Sequence, residues 1–257
     1  MPAVSVANAY ADAGYAEAYA TLGFPGTYYL AYRDLPAIIA AQVKGKAALD
    51  FGCGAGRSTR FLKTLGFAVI GIDISPRMIA LAREADPGDA GAYRLVADGD
   101  FSSLEPGGFD LVLSAFVFDN VPEAARRVVL LRGLGELLRS GGRAVVVAST
   151  PEIYTHEWAS FSTRDFPENR AARSGDAVRI VLQEIADRRP VVDCLWTHED
   201  YLRVFADSGL TLLTCHRPLG RPDEPYRWQA ELAVAPWVIY VLARSQVSSS
   251  RGGDQAG

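Results

Sequence analysis

The chain has few cysteines, few lysines and no long hydrophobic run. Its three cysteines, Cys53, Cys194 and Cys215, are too few and too widely spaced for a disulfide framework or a metal site. We therefore expect a reducing compartment, a cytoplasmic location and no bound metal. No apolar run reaches the roughly 18–20 residues that a membrane-spanning helix needs. The first twenty residues lack the basic start and apolar core of a signal peptide, so no membrane partner is expected either.

An excess of positive charge is also missing. The 257 residues hold 26 basic and 30 acidic side chains, which gives a net charge of −4. A protein that binds nucleic acid along its surface normally presents a basic face, so this balance disfavours a nucleic-acid partner. The length is sufficient for one large α/β domain with a sizeable insertion.

What the chain does contain is a glycine-rich turn, in the stretch AALDFGCGAGRSTRFL over 47–62. An apolar run ends in Asp50, and a helix is predicted to start near Arg57. Because glycine has no Cβ, such a turn lets backbone N–H groups approach a ligand closely. Arg57 stands where the dinucleotide-binding pattern G-x-G-x-x-G has its third glycine. This departure disfavours a nicotinamide-dependent oxidoreductase, which is one alternative function.

Strands and helices are predicted to alternate after this turn. The predicted strands are 47–51, 67–72, 93–97, 110–114, 143–148, 210–215 and 237–243, and the predicted helices are 57–65, 76–85, 122–139 and 199–209. Ser75 and Thr197 are the expected N-caps, and Gly209 the expected C-cap. Unbroken apolar strands that alternate with helices indicate a parallel sheet covered on both faces. The last two strands lack an intervening helix, which favours an antiparallel pair at one edge.

The predicted fold class is therefore α/β, with a doubly wound, seven-stranded, mostly parallel sheet whose last strand is antiparallel. One domain is expected over 1–244. It would include an N-terminal helical cap (1–45) and an insertion or lid (150–196) that holds a hairpin. The Ser- and Gly-rich tail over 245–257 is expected to be disordered.

Polar or small residues follow four successive predicted strands: Asp50 with the glycines, Asp73, Asp98, and Ala115 beside Ser114. Ligands of open parallel sheets bind at the carboxyl ends of the strands, where the winding reverses. Along about residues 45–150, this set resembles the class I (Rossmann-like) methyltransferases that depend on S-adenosyl-L-methionine (SAM). The resemblance implies SAM as cofactor, S-adenosyl-L-homocysteine (SAH) as product, and an acceptor that is a small molecule.

The resemblance also implies roles for particular residues. Asp73 would accept hydrogen bonds from the ribose hydroxyls, and Asp98, with Asp100 as a competitor, would accept one from the adenine amino group. Gly52, Cys53 and Gly54 would lie against the methionine portion. The full set of expected cofactor-binding residues is Tyr28, Arg33, Asp50, Gly52, Cys53, Gly54, Asp73, Ile74, Asp98, Gly99 and Ala115.

The acceptor side is less determined by the sequence. Related enzymes commonly have a histidine or aromatic residue after the strand at 110–114, whereas this chain has Phe118, Asp119 and Asn120. Asp119 and His156 are the candidate catalytic residues, although Asp119 is equally suited to cap a helix and His156 to lie on the surface. The atom that receives the methyl group, oxygen, nitrogen or carbon, stays open.

Several alternatives to small-molecule methylation remain at this point. RNA or protein methylation is disfavoured by the acidic charge and by the lack of an N-P-P-Y motif. A non-catalytic SAM-binding subunit is a further alternative. The hairpin over 178–196 can line the pocket or exchange between two copies, so a homodimer is one expected assembly.

Overall fold

The computed structural model describes residues 14, 17, 23, 25–185 and 187–245. The predicted N-terminal cap lies outside these residues up to residue 24, apart from the three single positions, and the predicted disordered tail lies outside them from residue 246 on. Within the described part of the chain, no helix is long and apolar enough to cross a membrane.

The chain folds into six α-helices and ten strands over the described ranges. The helices are α1 (Gly26–Arg33), α2 (Leu35–Gln42), α3 (Arg57–Thr64), α4 (Pro76–Ala85), α5 (Ala124–Leu137) and α6 (His198–Asp207). The strands are β1 (Ala47–Phe51), β2 (Ala68–Asp73), β3 (Tyr93–Leu95), β4 (Phe109–Ala115), β5 (Leu138–Ser149), β6 (Phe161–Ser162), β7 (Ala177–Leu182), β8 (Val191–Cys194), β9 (Leu210–His216) and β10 (Trp237–Arg244).

Seven strands form one sheet in the order β3-β2-β1-β4-β5-β10-β9. Strands β1 to β5 are parallel, and β10 runs antiparallel between β5 and β9. The predicted fold class is therefore confirmed, including the antiparallel last strand. Because the chain winds outward through β2 and β3 and then returns to β4, the winding reverses between β1 and β4. A ligand site is expected outside the carboxyl ends of these two strands.

Both faces of the sheet are buried, as the apolar strands predicted. In β5, Val145 and Val147 contribute to the core on one face, while Val146 and Ala148 contribute to the core on the other. This alternation follows from the period of two along a strand. One core includes α1, α2 and the insertion, and the other includes α5 and α6. The sheet edge that bears the strand ends is therefore flanked by packed helices.

The predicted helix boundaries follow from local capping. Ser75 precedes α4 and its Oγ accepts a hydrogen bond from the Met78 N–H, with Pro76 as the first helical residue. Thr197 caps α6 in the same way through the Asp200 N–H. Gly209 follows α6 with a φ of +75°, a conformation that favours glycine after a helix. The two N-caps are confirmed, whereas the C-cap of α6 is Ser208 and Gly209 lies one position beyond it.

The insertion contains a three-stranded antiparallel sheet, β6-β7-β8, where the sequence predicted a hairpin of two strands. The hairpin is β7 and β8, and β6 was missed because a two-residue strand carries no periodic signal. The predicted strand over 93–97 is also shorter than expected, since β3 ends at Leu95. The insertion packs against α1, where the Thr27 N–H donates to Ser160 Oγ at 2.9 Å.

Candidate functional site

The glycine turn after β1 is built on backbone conformations that other residues rarely adopt. Gly52, Gly54 and Gly56 have φ values of +69°, +52° and +78°. A Cβ on Gly52 would lie 2.3 Å from a Val117 methyl carbon, so the turn packs directly against the loop that follows β4. A Cβ on Gly54 would meet no atom of the described residues within 4 Å. The second glycine of the turn therefore faces open space.

Asp50 supports this turn from behind. It is buried, and its Oδ2 accepts hydrogen bonds from Ser58 Oγ at 2.7 Å and Thr59 Oγ1 at 2.6 Å, both on α3. Burial raises the pKa of Asp50 to about 6. The carboxyl thus joins the end of β1 to the first turn of α3. Asp50 does not line the space that Gly54 faces, although the sequence had suggested that it contacts a cofactor.

Asp73, at the end of β2, links the glycine turn to the next loop. One carboxylate oxygen accepts from the Gly54 N–H at 2.9 Å, and the other accepts from the Ser75 N–H at 2.8 Å. Burial raises the pKa of this carboxyl. Two backbone amides therefore orient the side chain, and each oxygen still has a lone pair for a further donor.

A cavity of about 300 Å³, called here the large cavity, lies at the point where the winding reverses. Seven of the residues predicted to bind a cofactor line it: Gly52, Gly54, Asp73, Ile74, Asp98, Gly99 and Ala115. They come from the ends of β1, β2 and β4 and from the loop after β3. The apolar part of its wall includes Met78, Val96 and Leu130. The cavity joins carboxylates and exposed backbone groups to an apolar surface, which suits an organic ligand with several hydrogen-bond donors.

The large cavity also contains a residue that sequence reasoning missed. Arg126 on α5 lies with its Nη2 2.6 Å from Asp98 Oδ2, and its guanidinium covers Gly99. No local pattern could have identified it, because Arg126 is one of many arginines on the polar side of a helix. Asp100, the competitor of Asp98, is exposed, accepts from the Ser102 N–H and does not line the cavity.

Three further residues were predicted to bind a cofactor but do not line the large cavity. They are Tyr28, Arg33 and Cys53. Arg33 donates to Asp34 and Glu224, both at 2.8 Å, and these carboxylates raise its pKa. Cys53 packs its side chain into a small core with α4, and burial raises the pKa of its thiol well above the usual value. Its side chain points away from the cavity that its flanking glycines line, so a thiolate role is disfavoured.

Tyr28 instead lines a second space of about 40 Å³, called here the narrow cavity. Phe116 and Asn120 line both cavities, so the two are neighbours that share a wall. Phe116 has a φ of +64° and is the non-glycine residue with positive φ in the described part of the chain. Such a conformation costs roughly 1–2 kcal/mol, and it is maintained here by packing at the boundary between the cavities.

The candidate catalytic residue Asp119 lines the narrow cavity together with a residue that the sequence did not single out, Asp193. Asp119 accepts from Ser149 Oγ at 2.8 Å, and burial raises its pKa to about 6. Asp193 on β8 accepts from the Tyr154 hydroxyl at 3.1 Å. Desolvation, and then the negative charge of Asp119, raise the pKa of Asp193 to about 8. The cavity therefore holds two carboxyl groups whose pKa values are both raised by burial.

The other catalytic candidate, His156, lies in neither cavity. It lines a groove of about 260 Å³ on the insertion, together with Arg164 and Arg170. Its Nδ1 is 3.0 Å from the Glu152 carbonyl oxygen and 3.1 Å from Thr155 Oγ1. The structure therefore does not bring His156 and Asp119 together in one site.

Sequence comparison identifies the segment that builds the large cavity. Residues 49–146 match a family of methyltransferase domains. Over 49% of this chain, the sequence is 35% identical to the 2-methyl-6-phytyl-1,4-hydroquinone methyltransferase of Synechocystis sp., but the match spans only 36% of that protein. The N-demethylindolmycin N-methyltransferase of Streptomyces griseus is 25% identical over 78% of this chain and 84% of that protein.

Solved structures resemble the fold over about four fifths of the chain. An S-adenosylmethionine-dependent methyltransferase from Mesorhizobium loti covers 82% of this chain and 97% of its own length, with a TM-score of 0.56 and 24% identity. One from Methanosarcina mazei covers 81% and 98%, with a TM-score of 0.58 and 17% identity. At these identities the resemblance to solved structures establishes the fold alone.

Proposed function

We propose that this chain transfers the methyl group of SAM to a small-molecule acceptor by in-line displacement, and the match of residues 49–146 to a family of methyltransferase domains supports this. The observation that supports this most directly is the meeting of Gly54, Asp73 and Asp98 in one large cavity at the winding reversal. The proposed location is the cytoplasm. A homodimer is the proposed assembly, and no nucleic-acid or membrane partner is proposed.

The class of acceptor is proposed from the relatives and from charge. The relatives include a hydroquinone methyltransferase, an N-methyltransferase of an indolmycin precursor and an O-methyltransferase of ubiquinone biosynthesis from Xanthomonas euvesicatoria. Each of these names describes a small organic acceptor or its pathway. The net charge of −4 of this chain agrees with such an acceptor rather than with a polyanion. The relatives differ in the receiving atom, so they leave it open.

The residues of the large cavity fit SAM by their chemistry. We assign Asp73 to the ribose hydroxyls, since its two amide-bound oxygens each retain a lone pair. Asp98 and the backbone of Gly99 are assigned to the adenine ring, and Gly52 and Gly54 to the methionine portion. A volume of about 300 Å³ lies within the range of small-molecule sites, which is about 300–1,000 Å³. Among the described residues, no side chain lies within 4 Å of the Cβ position of Gly54.

The cofactor supplies a methyl group on a sulfonium, so that sulfur keeps the electron pair of the broken bond while the acceptor atom provides the pair for the new one. The residues of this chain align the two partners and exclude water. Phe116 and Asn120 line both cavities, so the acceptor would meet the methyl group at this shared boundary. Asp119 lines the narrow cavity and is the assigned proton acceptor.

Isothermal titration calorimetry with SAH tests the proposal on the purified full chain. We expect one site with micromolar or tighter affinity and no heat from NADH. A chain that binds NADH and not SAH would contradict the proposal. Transfer of a labelled methyl group to a pool of small metabolites, but not to RNA or protein, should accompany SAH binding. Binding of SAH without transfer to any pool would favour a non-catalytic subunit instead.

A further inference from the structure

The narrow cavity is surrounded by aromatic rings that pack against one another. Phe116 and Trp237 have ring centroids 4.7 Å apart, Tyr28 and Phe161 are 4.9 Å apart, and Tyr28 and Trp237 are stacked at 5.8 Å. All four rings line the cavity. They come from α1, the loop after β4, β6 and β10, so the main sheet, the first helix and the insertion together form this aromatic box.

One side of the box carries acidic and hydroxyl groups instead of rings. Asp119 and Asp193 line the cavity there, together with Tyr154 and Ser149. Ser149 donates to Asp119 and Tyr154 donates to Asp193, so the two carboxyls are oriented by neighbours on β5 and on the short 3-10 helix over 151–154. Each carboxylate still has lone pairs for a further donor.

No lysine, arginine or histidine is among the described residues that line the narrow cavity. Two arginines lie close to it. Arg127 on α5 is buried and donates to the carbonyl oxygens of Phe118 and Val121, and the guanidinium of Arg57 lies 5.2 Å from the ring centroid of Tyr28. The Arg127 guanidinium stacks on Trp196 at 4.1 Å, outside the cavity lining. Arg127 favours the ionised form of Asp119, whereas no cation offsets the burial of Asp193, so ionisation of both carboxyls is costly unless a ligand brings a further positive charge.

We propose that the narrow cavity receives a protonated amino group of the acceptor, so that this enzyme methylates an amine nitrogen. This inference rests on the proposed function. A cation over aromatic faces is attracted by the ring quadrupoles, and this attraction grows when water is excluded. Asp119 and Asp193 would accept hydrogen bonds from the N–H groups on the acidic side of the box. A neutral phenol or alcohol would gain neither interaction and would leave the carboxyl pair uncompensated.

The proton has a defined destination in this arrangement. A protonated amine has no free electron pair, so one N–H bond must break before the nitrogen can accept a methyl group. The electron pair of that bond stays on nitrogen, and the proton binds to a carboxylate oxygen of Asp119. Asp119 is the carboxyl assigned to this step because it adjoins Asn120, which lines both cavities. Asp193 then contributes by recognition of the cation.

The small volume of the narrow cavity limits the size of the group that can enter it. A cavity of about 40 Å³ holds a few atoms, since one water needs roughly 10–15 Å³ by the same kind of measure. The amino group and the one or two carbons that bear it would fit, whereas the rest of the acceptor would remain outside. An amine on a short, unhindered carbon chain is therefore the acceptor class.

Matched pairs of small probes test this inference on the full chain. Ethylammonium and benzylammonium are titrated beside ethanol and benzyl alcohol, with binding followed by saturation-transfer NMR in the presence and absence of SAH. We expect each ammonium to bind at least tenfold more tightly than the alcohol of the same shape. Equal affinity within both pairs would overturn the inference. Because SAH binding is measured separately, its failure would reject the proposed function and leave this comparison readable.

The carboxyl variants identify the groups responsible. Asp119→Asn and Asp193→Asn keep the side-chain shape, and each should reduce the ammonium affinity at least tenfold while the alcohol affinity stays unchanged. The exposed Asp207→Asn on α6 is the control for charge and should change neither. Unchanged ammonium affinity in both cavity variants, with SAH binding and circular dichroism as for the wild type, would also overturn the inference.

Discussion

At the scale of single residues, the molecule contains several carboxyl groups whose surroundings set them apart. Asp50 is held by two hydroxyls, Asp73 by two backbone amides, and Asp119 by the hydroxyl and amide of one serine. Only Asp193 relies on one phenolic hydroxyl, and it is also the group whose pKa rises most, to about 8. Asp193 is the carboxyl with the fewest hydrogen-bond donors, so its negative charge is the one that a ligand or a bound proton would offset.

The pH dependence of stability should reveal Asp193. Its pKa of about 8 in the folded chain exceeds the value of 3.8 in an unfolded one. Between these values the folded state binds a proton that the unfolded state lacks, so the free energy of unfolding falls as pH rises toward 8. The wild type should lose up to about 3 kcal/mol between pH 5.5 and 8.5 through this group, at about 1.4 kcal/mol per pKa unit. The Asp193→Asn variant should not show this fall in the free energy of unfolding over the same pH range.

Urea unfolding at pH 5.5, 7.0 and 8.5 measures this difference. The groups that face Asp193 or its partner, namely Asp119, Tyr154, Cys194 and Arg127, are unchanged in the variant, so their own titration remains in both curves. Parallel stability curves for wild type and Asp193→Asn would contradict the assigned pKa.

Asp98 and Asp100 provide a matched pair for the adenine end of the proposed cofactor site. They lie two residues apart in one loop, yet only Asp98 lines the large cavity. Asp98→Asn should weaken SAH binding by roughly ten- to a hundredfold, because hydrogen bonds to charged groups contribute about 1.5–3 kcal/mol. Asp100→Asn should have no effect on calorimetric affinity. Equal losses of SAH affinity in both variants would mean that the loop conformation, and not the Asp98 carboxylate, determines binding.

At the scale of elements, the glycine turn joins β1 to α3 and determines which backbone groups reach the large cavity. Gly54 and Gly141 both have positive φ values, +52° and +81°, and a Cβ on either would meet no atom of the described residues within 4 Å. Gly141 lies within β5, away from the cavity. The two positions therefore share the conformational strain of an added Cβ and differ only in what the Cβ faces.

Gly54→Ala and Gly141→Ala should each lower the free energy of unfolding by roughly 1–2 kcal/mol, the cost of a left-handed conformation for an L-residue. Only Gly54→Ala should weaken SAH binding, since its methyl group would occupy the space proposed for the methionine portion. Thermal unfolding of both variants measures the backbone strain, and calorimetry with SAH measures the obstruction of the proposed cofactor site. A loss of SAH affinity in Gly141→Ala of the same size would mean that stability alone explains the effect.

The elements themselves were predictable to the extent that their signals are local. The apolar alternation of β5, the cap of α4 at Ser75 and the cap of α6 at Thr197 depend on residues within one or two turns. β6 was missed because two residues, Phe161 and Ser162, pair only through contacts with the distant β7. A short strand that forms only by pairing with a distant strand has no sequence pattern of its own.

At the scale of the whole molecule, Glu231 joins three parts of the chain. It is fully buried, and its Oε1 accepts from Thr27 Oγ1 on α1 at 2.6 Å and from the Ala159 N–H of the insertion at 2.7 Å. Its Oε2 accepts from the Gln229 N–H at 2.8 Å in the loop between β9 and β10. This carboxylate thus holds α1 and the insertion together where they enclose the aromatic box.

Removal of Glu231 should therefore affect the whole molecule. Glu231→Ala should lower the free energy of unfolding by about 3–5 kcal/mol, because it leaves buried donors unpaired. Glu136→Ala, on the exposed side of α5, should change stability by less than about 0.5 kcal/mol. Denaturant unfolding measures both. If the loss for Glu231→Ala were below 1 kcal/mol, the three segments would not depend on this carboxylate.

The sequence by itself determined the sheet, its helices and the loop positions of the large cavity, because these depend on local periodicity and on the rule that parallel strand ends share one edge. Gly54, Asp73 and Asp98 could be found in that way. Tertiary structure alone decided which way each side chain turns. It directs Cys53 into a core, turns Arg33 toward Glu224 and places Asp193 in the same narrow cavity as Asp119.

The physical reason is that a cavity wall is made by elements distant in the chain. Arg126 meets Asp98 through the packing of α5 on the sheet, and Tyr28 joins Phe161 and Trp237 because α1 and the insertion close on β10. The sequence around a residue does not show which distant residue becomes its neighbour. The proposed methyl-donor site was therefore readable from the strand ends, whereas the aromatic and acidic box of the proposed acceptor became visible only in three dimensions.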